Sequence, residues 1–172
     1  MRKPNTADGE LLLRLYEIRR DPELRQGRKW FLTTFKPTGW AEIKARYLSH
    51  DDEDRWFRMV RSYWELVATL VNRGVLHDEL FFDHTGEDVV TWERCKAWID
   101  EARGDIRPTY LYQFERLVRD HLAFRAKTIP AFVAAEAKRK GAANGKATTT
   151  PKPARAKAKL AARGARRATA AR

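Results

Sequence analysis

All nineteen aromatic residues of the chain lie between Tyr16 and Phe132, and from Lys138 to Arg172 there is a single large apolar side chain, Leu160. That segregation decides what can fold. The last 35 residues comprise twelve Ala, twelve Lys or Arg, four Thr, three Gly, two Pro, one Asn and that Leu, with no acid. Such a segment has almost nothing to bury, whereas ordering a backbone costs roughly 1–2 kcal/mol per residue, and its like charges repel. It is expected to be disordered when free. Residues 1–137 hold all 23 carboxylates and an equal number of Lys and Arg, so the net charge of +12 sits wholly in the tail. Their length suits one ordinary core and not two. The expected organisation is a helical domain over 1–137 and a disordered Lys/Arg/Ala-rich tail over 138–172.

Several classes are excluded. The most apolar run, Leu66–Val71 (LVATLV), is far short of the ~18–20 residues that a membrane span requires. The opening MRKPNTADGE lacks the apolar stretch of a secretory leader. With Cys95 as the only cysteine, neither a disulfide framework nor a cysteine-based zinc site can form within one chain. These features fit a cytoplasmic protein.

The periodicity is helical throughout, giving an all-α fold of about six or seven helices around a long central one. Asp8 is placed to cap a first helix carrying Leu11, Leu12, Leu15, Tyr16 and Ile18. Asp21-Pro22 supplies an N-cap and first-turn proline for a second, with Leu24, Gly27, Trp30, Phe31, Thr34 and Phe35 inward. Trp40, Ile43, Tyr47 and Leu48 mark a short third helix. The central helix spans about 50–73: Ser49-His50-Asp51-Asp52 matches a capping box, Asp51 to Asp54 load the positive end of the dipole, and Gly74 is a left-handed terminator. One or two turns follow over Leu76–Phe82. Thr85-Gly86-Glu87-Asp88 reads as a second capping box opening a helix with Val89, Trp92, Cys95, Trp98, Ile99 and Ala102, ended by Gly104. Pro108 begins another with Leu111, Phe114, Leu117, Val118 and Leu122 inward, and a last helix runs over about 129–140.

Candidate chemistry within the domain is thin. The acidic cluster His50-Asp51-Asp52-Glu53-Asp54 coincides with a helix start, where cap and dipole account for it without a metal. His77 and His84 are seven residues apart, whereas metal-binding helices place ligands three or four apart. His121 is expected to make one ordinary hydrogen bond, and Cys95 to be a packing residue. Arg55-Trp56-Phe57-Arg58 and Arg28-Lys29-Trp30 interleave cations with aromatics, but the aromatics fall on inward stripes. Arg61–Glu65, Glu115–Arg119 and Arg116–Asp120 read as surface pairs. No phosphate loop or nucleophile elbow occurs. No cofactor, metal site or catalytic residue is implied.

The tail is the functional element. Lys138, Arg139, Lys140, Lys146, Lys152, Arg155, Lys157, Lys159, Arg163, Arg166, Arg167 and Arg172 can approach phosphates and release counterions, with log affinity falling by ~0.9 per log unit of salt for each phosphate contacted on duplex DNA. The tail carries no aromatic to stack bases and no ordered side chain to read base edges, so non-specific binding is expected, to DNA ahead of RNA.

Two resemblances accompany this. TTTPKPARAKAKLAARGARRATAAR resembles linker-histone-like extensions and the basic tails of bacterial nucleoid proteins in composition. The core from Tyr63 to Leu117, with YWELVATLVNRGVLHDELFF, VVTWERCKAWIDEAR and YLYQFERL, resembles a family of small all-helical bacterial proteins of unknown function. Its recurring features correspond here to Trp64-Glu65, Gly74-Val75-Leu76, Asp78-Glu79 and Trp92. That resemblance implies a helical fold and carries no catalytic residue across. The combined reading is a non-enzymatic helical interaction module, nucleoid association included, whose core contacts a protein partner or itself and whose tail binds nucleic acid. The alternatives are an enzyme of unrecognised type, in which His77, Asp83, His84 and His121 would converge, and a peripheral regulator at anionic membranes.

Overall fold

The computed structural model describes residues 2–47, 49–130 and 134. The chain divides into two units, Met1–Val133 and Ala134–Arg172; the described residues fall in the first, Ala134 excepted. They form eight helices and no strand: α1 Thr6–Arg19, α2 Pro22–Thr33, α3 Trp40–Tyr47, α4 Asp52–Asn72, α5 Asp78–His84, α6 Glu87–Glu93, α7 Ile99–Asp105 and α8 Tyr112–Thr128. The expected helix over 129–140 lies almost wholly outside the described residues.

α4 is central because apolar side chains cover most of its circumference. Phe57, Val60, Tyr63, Trp64, Val67, Ala68 and Val71 are all buried, and α2 and α8 make the most extensive contacts with it. Asp51 caps its first turn by accepting from the Asp54 amide at 2.9 Å, two residues later than the expected cap at Ser49. Gly74 ends it at φ +70°, a left-handed conformation that glycine adopts without steric cost. α2 reaches α4 closely at Gly27, where a Cβ would lie 3.1 Å from the Cβ of Trp56. Around that contact Trp30, Phe31, Phe35 and Phe57 form one aromatic cluster. The Phe31 and Phe35 rings stack with centroids 4.6 Å apart. Edge and stacked pairs of this kind stabilise beyond the area they bury.

Local signals place several ends. Asp21 accepts from the amides of Glu23 and Leu24, each at 3.0 Å, with Pro22 in the first turn of α2. At α1, however, Asn5 is the cap. Asp8 is its reciprocal partner three residues into the helix, because the carboxylate is drawn inward by Arg2 and the His77 amide. At α6 Gly86 caps without a side-chain bond; Asp88, expected in a capping box, is instead fully buried.

The expected Trp helix is two helices. Residues 94–98 tighten into turns, with the Arg94 and Cys95 amides donating only three residues back. The Trp98 indole donates to the Arg94 carbonyl at 2.8 Å, satisfying an oxygen at the break, and its ring stacks on Trp40. Gly104 lies inside α7 and does not end it. α8 starts at Tyr112 and not at Pro108, after a left-handed Leu111 at φ +51°. Its first amides are capped from α4: Glu65 accepts from Phe114 at 2.9 Å and from Gln113 at 3.3 Å. Directly beneath, Trp64 stacks on Phe114 with rings 7° from parallel.

Candidate nucleic-acid interface

The twelve cations expected to contact phosphates, Lys138 to Arg172, lie outside the described residues. Within the helical unit, basic side chains converge at the α1–α2 corner. Tyr16, Arg19 and Arg20 are spaced to share one face of the end of α1, and Arg25 and Arg28 share one face of α2. The tight Arg20-Asp21-Pro22 connection brings both faces together. They line an open groove of about 420 Å³ formed by Tyr16, Arg19, Arg20, Arg25 and Arg28.

Two of the four arginines are fixed. Arg19 donates to Glu87 Oε2 at 2.6 Å. Arg28 donates to both carboxylate oxygens of Glu87 and also to the Arg19 carbonyl, the last at 3.2 Å. Glu87 raises the Arg28 pKa, chiefly through these hydrogen bonds. The side chains of Arg19 and Arg28 are only 15% and 17% exposed, so α1, α2 and α6 are pinned at one point. Arg20 and Arg25 are exposed, and the Tyr16 ring is half-exposed with its edge to His84. The arrangement offers planar, fixed-charge donors to an anion. Sequence reading missed it because residues 1–137 balance overall, and only the reversal at Asp21-Pro22 juxtaposes the four arginines.

The histidines take separate local partners. His77 caps α5 by accepting from the Leu80 amide, while its Nε2 donates to the Arg2 carbonyl at 2.7 Å. His84 packs on Tyr16. Asp83 lines a shallow cleft with Phe82, Phe124, Arg125 and Ile129. His121 is fully buried, its Nδ1 2.7 Å from Asp88 Oδ2 and its ring stacked on Phe82 at 4.6 Å. His121 thus makes the hydrogen bond expected of it, in the interior. Among the described residues no three His, Cys, Asp or Glu side chains gather as metal ligands would. Burial pushes the Cys95 thiol well above the usual range, and Sγ sits 3.6 Å from the Thr91 carbonyl, the environment of an inert packing residue.

The acidic cluster at the start of α4 is also committed. Asp51 is the cap, Asp54 is buried and bound by both arms of Arg58 at 2.8 Å, and Glu53 accepts from the Trp30 indole at 3.0 Å. Of the expected surface pairs, Arg116–Asp120 is present at 3.6 Å. Glu115 pairs instead with Arg103 at 2.7 Å, and Glu65 caps α8.

The family described as a domain of unknown function, DUF4760, matches residues 5–121. The chain belongs to the DUF4760 family. No curated protein matches it, and no solved structure does. The DUF4760 match extends from the cap of α1 into α8. It takes in the arginine groove and the Asp88–His121 pair and stops short of the basic tail. It agrees with the resemblance read from Tyr63–Leu117 to a small helical family of unknown function. The features quoted for that resemblance have structural jobs here: Trp64-Glu65 seats and caps α8, Gly74 ends α4, Leu76 is fully buried, and Trp92 packs edge-on against Phe114. No helix among the described residues is long and apolar enough to cross a membrane.

Proposed function

We propose that this DUF4760 protein is a non-enzymatic helical interaction module whose basic C-terminal stretch holds nucleic acid, DNA ahead of RNA, through its phosphates. The observation that carries the reading is the partition of charge: 23 acids against 23 bases in residues 1–137, and twelve bases with no acid in 138–172. A surplus confined to one segment has no carboxylate within that segment to answer it, and a polyphosphate is the partner that rewards many cations at once. Lys138, Arg139, Lys140, Lys146, Lys152, Arg155, Lys157, Lys159, Arg163, Arg166, Arg167 and Arg172 are the contacting residues in this proposal. Binding is sequence-tolerant, since nothing in the segment reads base edges. The helical unit is free to contact a protein partner or a second copy, with nucleoid association in the cytoplasm as the setting.

The test is an equilibrium titration of mixed-sequence duplex DNA at low salt. It compares the full chain with a variant in which all twelve tail cations are Gln. Much tighter binding by the full chain, with little preference between unrelated duplexes, is the expected result. Equal binding by both proteins overturns the proposal. A preference for anionic vesicles over polynucleotide at matched salt would make the tail a membrane element instead, although it lacks the bulky apolar side chains that commonly anchor such segments.

A further inference from the structure

We propose that the arginine groove between α1 and α2 is a second phosphate-contact site, one that docks the phosphodiester backbone of a polynucleotide onto the helical unit. Arg20 and Arg25 contact the phosphates, and Arg19 and Arg28 form the fixed floor. The inference rests on the reading of the tail as a nucleic-acid element and adds a position on the folded unit to it.

Four observations on this corner support the assignment. Residues 1–137 are charge-balanced, yet the groove is lined by four arginines and one tyrosine, a local excess within a neutral unit. The one carboxylate bound to the cluster, Glu87, is engaged by Arg19 and by both arms of Arg28. That leaves the charge of Arg20 and Arg25 facing solvent. The floor is rigid, since Glu87 ties α6 to both helices and Arg28 also holds the Arg19 carbonyl, so little side-chain freedom remains to be lost on binding. Arginine in particular presents a planar fork matched to phosphate oxygens, whereas the last 35 residues mix Lys and Arg. The half-exposed Tyr16 ring at the rim adds a face against which a base or sugar can pack.

A polynucleotide fits better than an acidic peptide because the same chain carries twelve further cations in a stretch without acids. A backbone engaged by the tail meets the groove at a raised effective concentration, so even a weak second contact adds measurably to affinity.

The full-length protein is used throughout. Duplex DNA is titrated at several salt concentrations with wild type, with R20Q/R25Q, and with R73Q/R107Q, which removes the same charge from two exposed arginines outside the groove. Thermal melting confirms that each variant is folded. The proposal expects R20Q/R25Q to make the plot of log K against log salt shallower by about 1–2 and to weaken binding by about tenfold at moderate salt. R73Q/R107Q should change affinity by less than about twofold, the scale of a screened long-range charge effect. R20K/R25K, which keeps the charge and loses the fork, should fall between wild type and R20Q/R25Q. Indistinguishable behaviour of R20Q/R25Q and R73Q/R107Q, with wild type still binding, overturns the groove and leaves the tail reading standing. Failure of wild type to bind DNA overturns both. Displacement of DNA by polyglutamate as readily as by a polynucleotide of equal charge overturns the choice of phosphate.

Discussion

In the helical unit many cations pair with carboxylates; the last 35 residues carry twelve cations and no carboxylate of their own. Arg2 pairs with Asp8, Arg19 and Arg28 with Glu87, Arg55 with Glu23 and Asp52, Arg58 with Asp54, and Arg103 with Glu115. Asp8 also completes the cap of α1 and accepts from the buried His77 amide, and Asp21, Asp51 and Glu65 cap α2, α4 and α8. Charge in the first region is therefore spent on geometry: it fixes helix ends and joins elements distant in sequence. The proposed function assigns the charge of the second to a partner. On that reading the net charge of +12 bears on association and not on the fold. At the α1–α2 groove the exposed Arg20 and Arg25 stand beside Arg19 and Arg28.

If that division holds, changes inside the unit but away from the groove should move stability and leave DNA affinity alone. The largest effect is expected at the buried Asp88–His121 pair. Asp88→Ala strands the His121 ring in a site with no solvent access, a loss of about 2–4 kcal/mol, read as a lowered midpoint in chemical denaturation. Replacing both residues with apolar side chains of similar volume should recover much of that loss, because no unpaired polar group is then left inside. A charge-independent comparison comes from Gly27→Val, which drives side-chain atoms into the Trp56 Cβ already 3.1 Å from the position of a Cβ. Overpacking of this kind costs about 1–3 kcal/mol. Glu65→Ala should cost about 1–2 kcal/mol by removing the cap of α8, with amide exchange accelerating first at Gln113 and Phe114. For each of these three, a drop in DNA affinity at temperatures where the variant remains folded would break the comparison.

The smallest effect is a matter of pH. Hydrogen bonds from Arg2, opposed by burial and reinforced by the Asn5 and His77 amides, hold the Asp8 carboxyl well below the usual carboxylate range. A depressed folded-state pKa means that the stabilisation is complete above the ordinary carboxylate value of about 4 and fades as pH falls toward the folded value. Asp8→Asn should therefore melt below wild type at neutral pH, and the two melting curves should converge as the pH is lowered beneath 4. Divergence on acidification would contradict the role assigned to this clasp.

Much of this was legible in the chain before folding. The length and faces of α4 follow from its apolar spacing and its end from Gly74, while its cap is Asp51 and not the expected Ser49. Asp21-Pro22 announces α2, and the inward set of α2 is buried apart from Thr34. What was not legible depends on partners distant in sequence. A period of 3.6 continues through Trp92, Cys95, Trp98 and Ala102, so nothing in the pattern shows that residues 94–98 tighten into turns. The break is favoured by the Trp98 indole bonding to Arg94 and stacking on Trp40. The late start of α8 likewise depends on Glu65, 48 and 49 residues away from the amides it caps. The arginine groove escaped for the same reason. A linear charge count over residues 1–137 returns zero, and the local surplus exists only once α2 folds back on α1.

The most direct test of the account is the salt dependence of duplex DNA binding by the full chain, set beside that of the variant with all twelve tail cations replaced by Gln. A straight decline of log K with log salt is predicted for the full chain, with a slope of about −5 to −9, as expected for roughly six to ten phosphate contacts. The neutralised variant, with an unchanged melting temperature, should show a shallow residual slope of about −1 to −2 from the groove alone. Slopes that match between the two proteins would place the binding surface in the helical unit and contradict the account.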